Sequence, residues 1–125
     1  MEITVQVPEM GKATFGAVLP PDVVREIEVS EDWLSLVSEA ASPVRYRILR
    51  ALYLAGGTAT YKDIVQSENL TGGSLNMQFQ RLVYRGLISK TGRGVYTLTL
   101  RGTIAFALVS AAFVLARGEG SAKQD

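Results

Sequence analysis

Hydrophobic and polar residues form three different patterns along this chain of 125 residues. Residues 2–7 alternate one by one, the period of a half-buried strand, and residues 13–19 predict a second strand that ends before two prolines. From residue 30 onward, apolar residues recur every three or four positions, as in amphipathic helices. Residues 104–116 are apolar almost all round. The pattern predicts an α+β chain with an N-terminal β-hairpin-like segment and a C-terminal apolar helix.

Two serines mark helix starts. Ser30 precedes two acidic residues, which suit the positive end of a helix, and an apolar stripe then runs to residue 41. Ser42 is followed by Pro43, which fits the first helical position because its missing N–H is not needed there. Gly56 and Gly57 permit the left-handed turn that ends this second helix. Between the hairpin-like segment and Ser30, residues 22–29 fit either a short helix or a strand.

The middle of the chain predicts three helices closed by a hairpin. Residues 58–60 fit a short strand, and the helix that begins at Tyr61 has Thr60 as its expected cap. After a turn at 68–73, residues 74–85 form the third helix, whose inward positions are Leu75, Phe79, Leu82 and Val83. Residues 86–90 and 95–98 then form two strands around the tip 91–94, which contains glycine and arginine. This order is that of a winged helix-turn-helix, whose third helix enters the DNA major groove.

The predicted organisation has four segments. They are an acidic N-terminal β/α extension (1–41), the winged helix-turn-helix (42–100), a C-terminal apolar helix (101–117) and a flexible polar tail (118–125).

Charge is divided unevenly between these segments. Residues 1–41 hold two basic and eight acidic side chains, a net charge of −6, whereas residues 42–101 hold nine basic and two acidic ones, a net charge of +7. A basic middle segment indicates a polyanionic partner. The alternative is that these cations only solvate helix surfaces.

The outward side chains of the third helix suit base recognition. Asparagine and glutamine can pair with adenine, arginine with guanine, and methionine can contact the thymine methyl group. Glycine ahead of the helix lets the backbone approach a phosphate. The expected DNA contacts, including two cations of the wing, are Gly73, Ser74, Asn76, Met77, Gln80, Arg81, Tyr84, Arg85, Lys90 and Arg93. A polar helix face without a partner is the alternative.

The apolar C-terminal helix predicts an interface, because a surface helix is not expected to be apolar on every side. Packing one face on its own domain and another on a second copy would produce a two-fold homodimer. The expected dimerisation residues are Ile104, Leu108, Ala112, Phe113 and Leu115. Packing entirely within one chain is the alternative.

Several classes of function are not expected from the composition. The chain has no cysteine and no histidine, so disulfides, the usual transition-metal sites and histidine-dependent catalytic groups are excluded. No phosphate loop or paired catalytic carboxylates occur, so we expect neither an enzyme nor a cofactor. The 13-residue apolar run is shorter than the roughly 20 residues of a membrane span. Without a secretory signal, a cytoplasmic protein is expected.

Residues 42–103 resemble the winged-helix regulators of the ArsR/MarR superfamily, especially the archaeal ArsR-like type. The resemblance lies in Ser42-Pro43, in 75–79, in the segment Arg85-Gly-Leu-Ile88 and in Tyr96-Thr-Leu-Thr99 followed by Gly102. It implies a dimeric transcription factor that binds double-stranded DNA. The metal-sensing members bind through Cys and His, which this chain lacks. Residues 1–41 have no counterpart there.

Residues 11–27 also bear a faint resemblance to the AbrB-type DNA-binding half. Extra residues between strand and proline and a negative charge argue against it, so a dimerising or lid-like hairpin is favoured.

The expected function is therefore a dimeric, sequence-specific DNA-binding regulator that uses a recognition helix (74–85) and a basic wing (90–94). The alternative is a protein-interaction winged-helix subunit of a larger assembly that does not itself bind DNA, because the recognition face carries few cations. An architectural, sequence-tolerant chromatin protein is a third variant, although more lysine would be expected of it.

Overall fold

The computed structural model describes residues 3–7, 11–15 and 21–123, with side chains described from residue 21 to residue 117. The chain divides into two compact units. We call Glu31–Val109 the core unit, and Met1–Ser30 with Ser110–Asp125 the terminal unit. The α+β character expected from the sequence is confirmed: the described residues form six helices, a three-stranded antiparallel sheet and a separate two-stranded hairpin.

The hairpin lies in the terminal unit. Strands β1 (Ile3–Val7) and β2 (Gly11–Phe15) pair antiparallel, with Ile3 opposite Phe15 and Val7 opposite Gly11. The second strand therefore begins two residues earlier than the alternation predicted, because its pairing with β1 extends to Gly11. Residues 16–20 lie outside the described part of the chain. The ambiguous segment 22–29 contains a short helix, α1 (Pro21–Arg25), which begins at a proline.

The core unit contains the remaining elements. In chain order they are α2 (Glu31–Ala40), α3 (Pro43–Leu54), β3 (Thr58–Thr60), α4 (Tyr61–Ser67), α5 (Leu75–Tyr84), β4 (Ile88–Gly92), β5 (Val95–Leu98) and the first part of α6 (Leu100–Lys123). The short strand at 58–60 and the two strands that follow α5 are thus present, as predicted.

Helix α2 packs with the helices that follow it, unlike the predicted division at residue 41. Leu36 and Ala40 are fully buried in the same hydrophobic cluster as the residues of α3 and α5, and Trp33 and Val37 pack against that cluster. The reason is the three-to-four spacing of these apolar positions, which gives α2 a face to bury. Leu34 lies on the other side and is 62% exposed.

The sheet has the strand order β3-β5-β4 and is antiparallel throughout. Thr58 lies opposite Thr97, and Ile88 lies opposite Leu98. A register shift between Lys90 and Gly92 forms a bulge near the tip of the β4–β5 hairpin. Bulges of this kind bend a strand and increase its twist.

The core is centred on Phe79 of α5, which is fully buried. Its ring lies 4.8 Å from that of Tyr61 and 4.9 Å from that of Tyr96, measured between centroids, so α4, α5 and β5 meet there. Three of the four inward positions predicted for this helix, Leu75, Phe79 and Leu82, are buried. The fourth, Val83, is 37% exposed, because it lies one residue beyond the buried stripe.

The helix ends show which capping signals operate. The hydroxyl of Thr60 accepts a hydrogen bond from the backbone N–H of Asp63 at 3.1 Å, which confirms the predicted cap of α4. Ser42 precedes α3 with Pro43 in the first turn, but its side chain makes no capping hydrogen bond. Gly56 and Gly57 have φ angles of 89° and 106°, so they supply the left-handed backbone after α3.

Helix α6 begins at Leu100 and continues to Lys123, through most of the segment predicted as a flexible tail. No proline interrupts it, so nothing in its backbone requires an end at residue 117. In the core unit its inner face is formed by Gly102, Ala105, Phe106 and Val109, all buried. The ring of Phe106 packs 5.2 Å from that of Tyr46 and 5.0 Å from that of Tyr53, both on α3.

Among the described residues, Leu100–Arg117 is the one helical stretch with the length and composition of a membrane span, with a mean hydropathy of 1.6 and 22% of it buried. It is five residues longer than the apolar run 104–116 counted in the sequence because it also includes residues 100–103 and Arg117. A core helix meets the same criteria, and the first part of this stretch contributes Ala105, Phe106 and Val109 to the core.

Candidate nucleic-acid interface

The outer face of α5 is polar and exposed. Asn76, Met77, Gln80 and Tyr84 lie on one side of the helix because they are separated by one, three or four residues, and Met77 and Tyr84 are 67% and 87% exposed. The opposite side is the buried stripe that includes Phe79. The amide groups of Asn76 and Gln80 are therefore free of the core and accessible to a base edge.

Gly73 and Ser74 precede this face and are also exposed. Gly72 has a φ of 119°, so the turn before α5 uses a backbone conformation that favours glycine. The carbonyl of Ser74 accepts the first helical hydrogen bond, from the N–H of Gln78 at 3.0 Å, while its hydroxyl makes no capping hydrogen bond. The start of the helix is thus open to an anion.

Arg81 lies at one margin of the exposed face and is held by a carboxylate of α2. Its Nε and Nη2 donate to the two carboxylate oxygens of Glu39 at 2.7 and 2.8 Å. This bidentate arrangement is the strongest geometry for an arginine–carboxylate pair. The Arg81 side chain remains 55% exposed, so part of its guanidinium faces solvent.

Glu39 is the centre of a small ionic network. Only 9% of the residue is exposed, and Arg45 of α3 lies 3.4 Å from its carboxylate while donating to its backbone carbonyl at 2.9 Å. Arg45 also donates to the side-chain oxygen of Gln78 at 2.8 Å. The hydrogen bond from Arg81, aided by the positive charge of Arg45, lowers the pKa of Glu39 against the opposing effect of burial. The same pair raises the pKa of Arg81.

Arg85 is half-buried, unlike the other side chains of α5 that are expected to contact DNA. Its guanidinium donates to the hydroxyl of Ser35 on α2, and its Nε is buried without a hydrogen-bond partner in the part of the chain that the structure describes. The physical reason is helix geometry: Arg85 is four residues after Arg81, so both turn toward α2.

The wing carries two exposed cations, Lys90 and Arg93. Gly94 at its tip has a φ of 67°, and its carbonyl accepts a hydrogen bond from the N–H of Tyr61 at 2.8 Å. The tip is therefore tied to the beginning of α4. Lys62, exposed and next to Tyr61, adds a positive charge near this point that the sequence reading did not assign to the site. The sequence signal that could have identified Lys62 was its position at the start of a helix, directly after a short strand.

The expected dimerisation residues are mostly exposed. In the core unit, Ile104 and Leu108 are 38% and 52% exposed, and Leu100, four residues earlier, is 76% exposed. In the terminal unit, Ala112 is exposed, Phe113 is 57% exposed and Leu115 is half-buried. The first part of α6 therefore buries one face in its own core and leaves an apolar face at Leu100, Ile104 and Leu108 uncovered.

Other kinds of site find little support in the described residues. No group of three or more histidine, cysteine, aspartate or glutamate residues could hold a metal ion there. A groove of about 250 Å³ between α3, β3 and α4 is mainly apolar and has two acidic residues in its lining. It is lined by Ala51, Leu54, Ala55, Ala59, Asp63, Ile64, Ser67 and Glu68.

Comparisons with protein-family models, curated proteins and solved structures found no match to this chain.

Proposed function

We propose that the core unit is a winged helix-turn-helix that binds double-stranded DNA and that the protein acts as a sequence-specific transcriptional regulator of the ArsR/MarR-like kind. Helices α3, α4 and α5 followed by the β4–β5 hairpin have the element order of that module. In this reading α5 is the recognition helix and the hairpin is the wing.

The observation that carries the proposal is the exposed face of α5 beside a cationic wing. Asn76 and Gln80 offer the donor and acceptor pairs that read adenine, and Lys90 and Arg93 provide charges for phosphates. The core unit holds nine basic and five acidic side chains, a net charge of +4. Such a charge favours a polyanion and steers its approach.

The active form in this proposal is a homodimer that associates through the uncovered face of α6. Leu100, Ile104 and Leu108 recur every four residues and leave an apolar strip in water unless a partner covers it. A two-fold dimer would place two recognition helices about one helical turn of DNA apart. Its operator would accordingly be an inverted repeat.

A second candidate, a protein-binding winged helix without DNA affinity, is favoured by one observation. Met77 and Tyr84 project from α5 at 67% and 87% exposure, and the cation at the edge of this face, Arg81, is already paired. Exposed methionine and tyrosine are enriched at protein interfaces.

Selection from a pool of random duplexes distinguishes the two candidates. At roughly 50 mM and 200 mM salt, a DNA-binding dimer retains duplexes, loses much of that affinity at the higher salt and enriches an inverted repeat. Retention of no duplex at either salt would contradict the proposal and favour the protein-binding candidate.

A further inference from the structure

The pair between Arg81 and Glu39 has a geometry that goes beyond holding two helices together. A guanidinium has five N–H groups, and Glu39 accepts only one from Nε and one from Nη2. The edge formed by Nη1 and Nη2 retains parallel N–H groups. The Arg81 side chain is 55% exposed, and its neighbour Gln80 on α5 is exposed as well.

The carboxylate is itself fixed. Glu39 is only 9% exposed, lies in helix α2, and is held by Arg45 through both its carboxylate and its backbone carbonyl. Its lowered pKa keeps it ionised at neutral pH. Arg81 is therefore oriented by a buried, anionic partner rather than left to sample its rotamers, which removes part of the entropic cost of binding a planar ligand.

We propose that Glu39 is a positioning residue for DNA recognition, which presents the free Nη1–Nη2 edge of Arg81 to a guanine. This inference rests on the proposed function, and it extends the recognition surface to α2. Two parallel N–H donors match the O6 and N7 acceptors of guanine in the major groove.

The charge of the pair selects guanine over a backbone phosphate. Glu39, whose carboxylate Arg45 shares, offsets part of the charge that Arg81 would offer to an anion, whereas the neutral acceptors of guanine still accept its hydrogen bonds. Arg81 therefore contributes more to discrimination between bases than to the affinity for random DNA. In contrast, Lys90 and Arg93 act on any sequence.

The test uses the full-length protein and the inverted repeat recovered from random duplexes, with each guanine of the half-site replaced in turn. The wild type should discriminate at one guanine by about tenfold or more, the contribution of one bidentate arginine–guanine contact. Glu39→Gln should lose most of this discrimination while binding random duplex more tightly, because the positive charge of Arg81 is no longer partly offset.

The matched control is Glu68→Gln. Glu68 pairs with Arg50 and joins the end of α4 to α3, so this variant makes the same change of net charge and also breaks an internal arginine pair. It should leave discrimination at the guanine unchanged. Adding Glu39→Gln to Arg81→Ala should cause no further loss, because Glu39 acts through Arg81.

Arg81→Lys tests the inference without altering a buried residue. Lysine keeps the charge but cannot pair with Glu39 and guanine in the same geometry, so discrimination should fall while affinity for random duplex is retained. Discrimination equal to the wild type in either Glu39→Gln or Arg81→Lys would overturn the inference. Equal weakening on selected and random DNA would also overturn it and assign Arg81 to a phosphate. If the wild type retained no duplex, the proposed function itself would fail.

Discussion

Gly102 lies where the first turn of α6 crosses the main chain at Leu87. A Cβ added at Gly102 would lie 1.9 Å from the carbonyl oxygen of Leu87, far closer than atoms can approach. Beside it, the hydroxyl of Thr99 donates to the carbonyls of Gly86 and Leu87, and accepts from the N–H of Gly102 at 3.0 Å. In the sequence, Gly102 was noted only as part of the resemblance to winged-helix regulators. Its close approach to the Leu87 carbonyl explains why a glycine is needed there.

Gly102→Ala should destabilise the protein. Overpacking of this kind costs about 1–3 kcal/mol or more, because either the helix or the main chain at Leu87, just before β4, must shift. Urea-induced unfolding measures the change in the free energy of unfolding. Gly73→Ala is the matched control, since no heavy atom lies within 4 Å of its added Cβ and its φ is not in the left-handed region. Equal stability of the two variants would contradict the close approach of α6 to Leu87.

Glu39 should make stability depend on pH in acid. Its pKa in the folded protein is below the ordinary value of 4.5, so it contributes stability above pH 4.5 that is lost as the pH falls through the folded-state pKa. Glu39→Gln removes this contribution. The variant should therefore be less stable than the wild type near neutral pH, and the difference should shrink as the pH falls below 4.5 and through the lowered pKa of Glu39.

Urea unfolding of both proteins at a series of pH values measures that difference directly. Glu68→Gln, which removes the ion pair with Arg50, is the control for the loss of an arginine–glutamate pair elsewhere in the protein. A Glu39→Gln deficit that stays constant or grows in acid would show that the carboxylate is not stabilised by its arginines.

The sequence pattern predicted some features of the helices and strands better than others. Helix α5 was predicted at 74–85 and forms at Leu75–Tyr84, because its buried stripe and its glycine turns are both local signals. The direction of the Arg81 and Arg85 side chains was not predictable in the same way. Both turn toward α2, whose packing depends on Leu36 and Ala40 entering a core assembled from distant parts of the chain.

Helix α5 and the wing should affect DNA binding differently. Gln80→Ala should reduce the preference for the selected sequence, since its amide is placed for a base edge, whereas Arg93→Ala should weaken binding to all sequences and lower the salt slope by about one. Competition binding against selected and random duplexes at several salt concentrations separates these effects.

Two controls match these changes. Gln66→Ala alters an exposed glutamine on α4, and Arg25→Ala removes an exposed cation of α1 that pairs with Asp22 at 3.3 Å. Neither should change base preference. If Gln80→Ala and Arg93→Ala behaved alike on both kinds of DNA, the division of roles between helix and wing would be incorrect.

At the scale of the whole molecule, α6 has one face that is buried in the core and one apolar face that is exposed. Ala105, Phe106 and Val109 enter the core, while Ile104 and Leu108 stay uncovered on the other side. Fully burying a leucine is worth about 1.5–3 kcal/mol, so covering the exposed part of these two side chains would favour a partner by a fraction of that for each. The pattern of apolar positions in the sequence indicated such a helix, but not which of its residues the chain's own core would use.

Leu108→Glu should convert a homodimer to a monomer, because a charge would be buried at the interface without a partner. Sedimentation over a range of concentrations measures the change. Leu34→Glu, at an exposed leucine of α2, is the control and should leave the dimer intact. A monomeric wild type would contradict the dimer, and flotation of the wild type with lipid vesicles would assign the apolar face of α6 to a membrane instead.

The sequence by itself determined the elements whose signals are local. Strand alternation, the Thr60 cap, the glycines after α3 and the buried stripe of α5 each act within a few residues, so the α+β character and the element order could be read from the pattern. The tertiary structure decided which polar side chains meet. Glu39 and Arg81 are 42 positions apart, and only the packing of α2 on the core brings a carboxylate to that arginine. Pairing between residues so far apart in the sequence depends on how whole helices pack, and a local sequence pattern does not determine that packing.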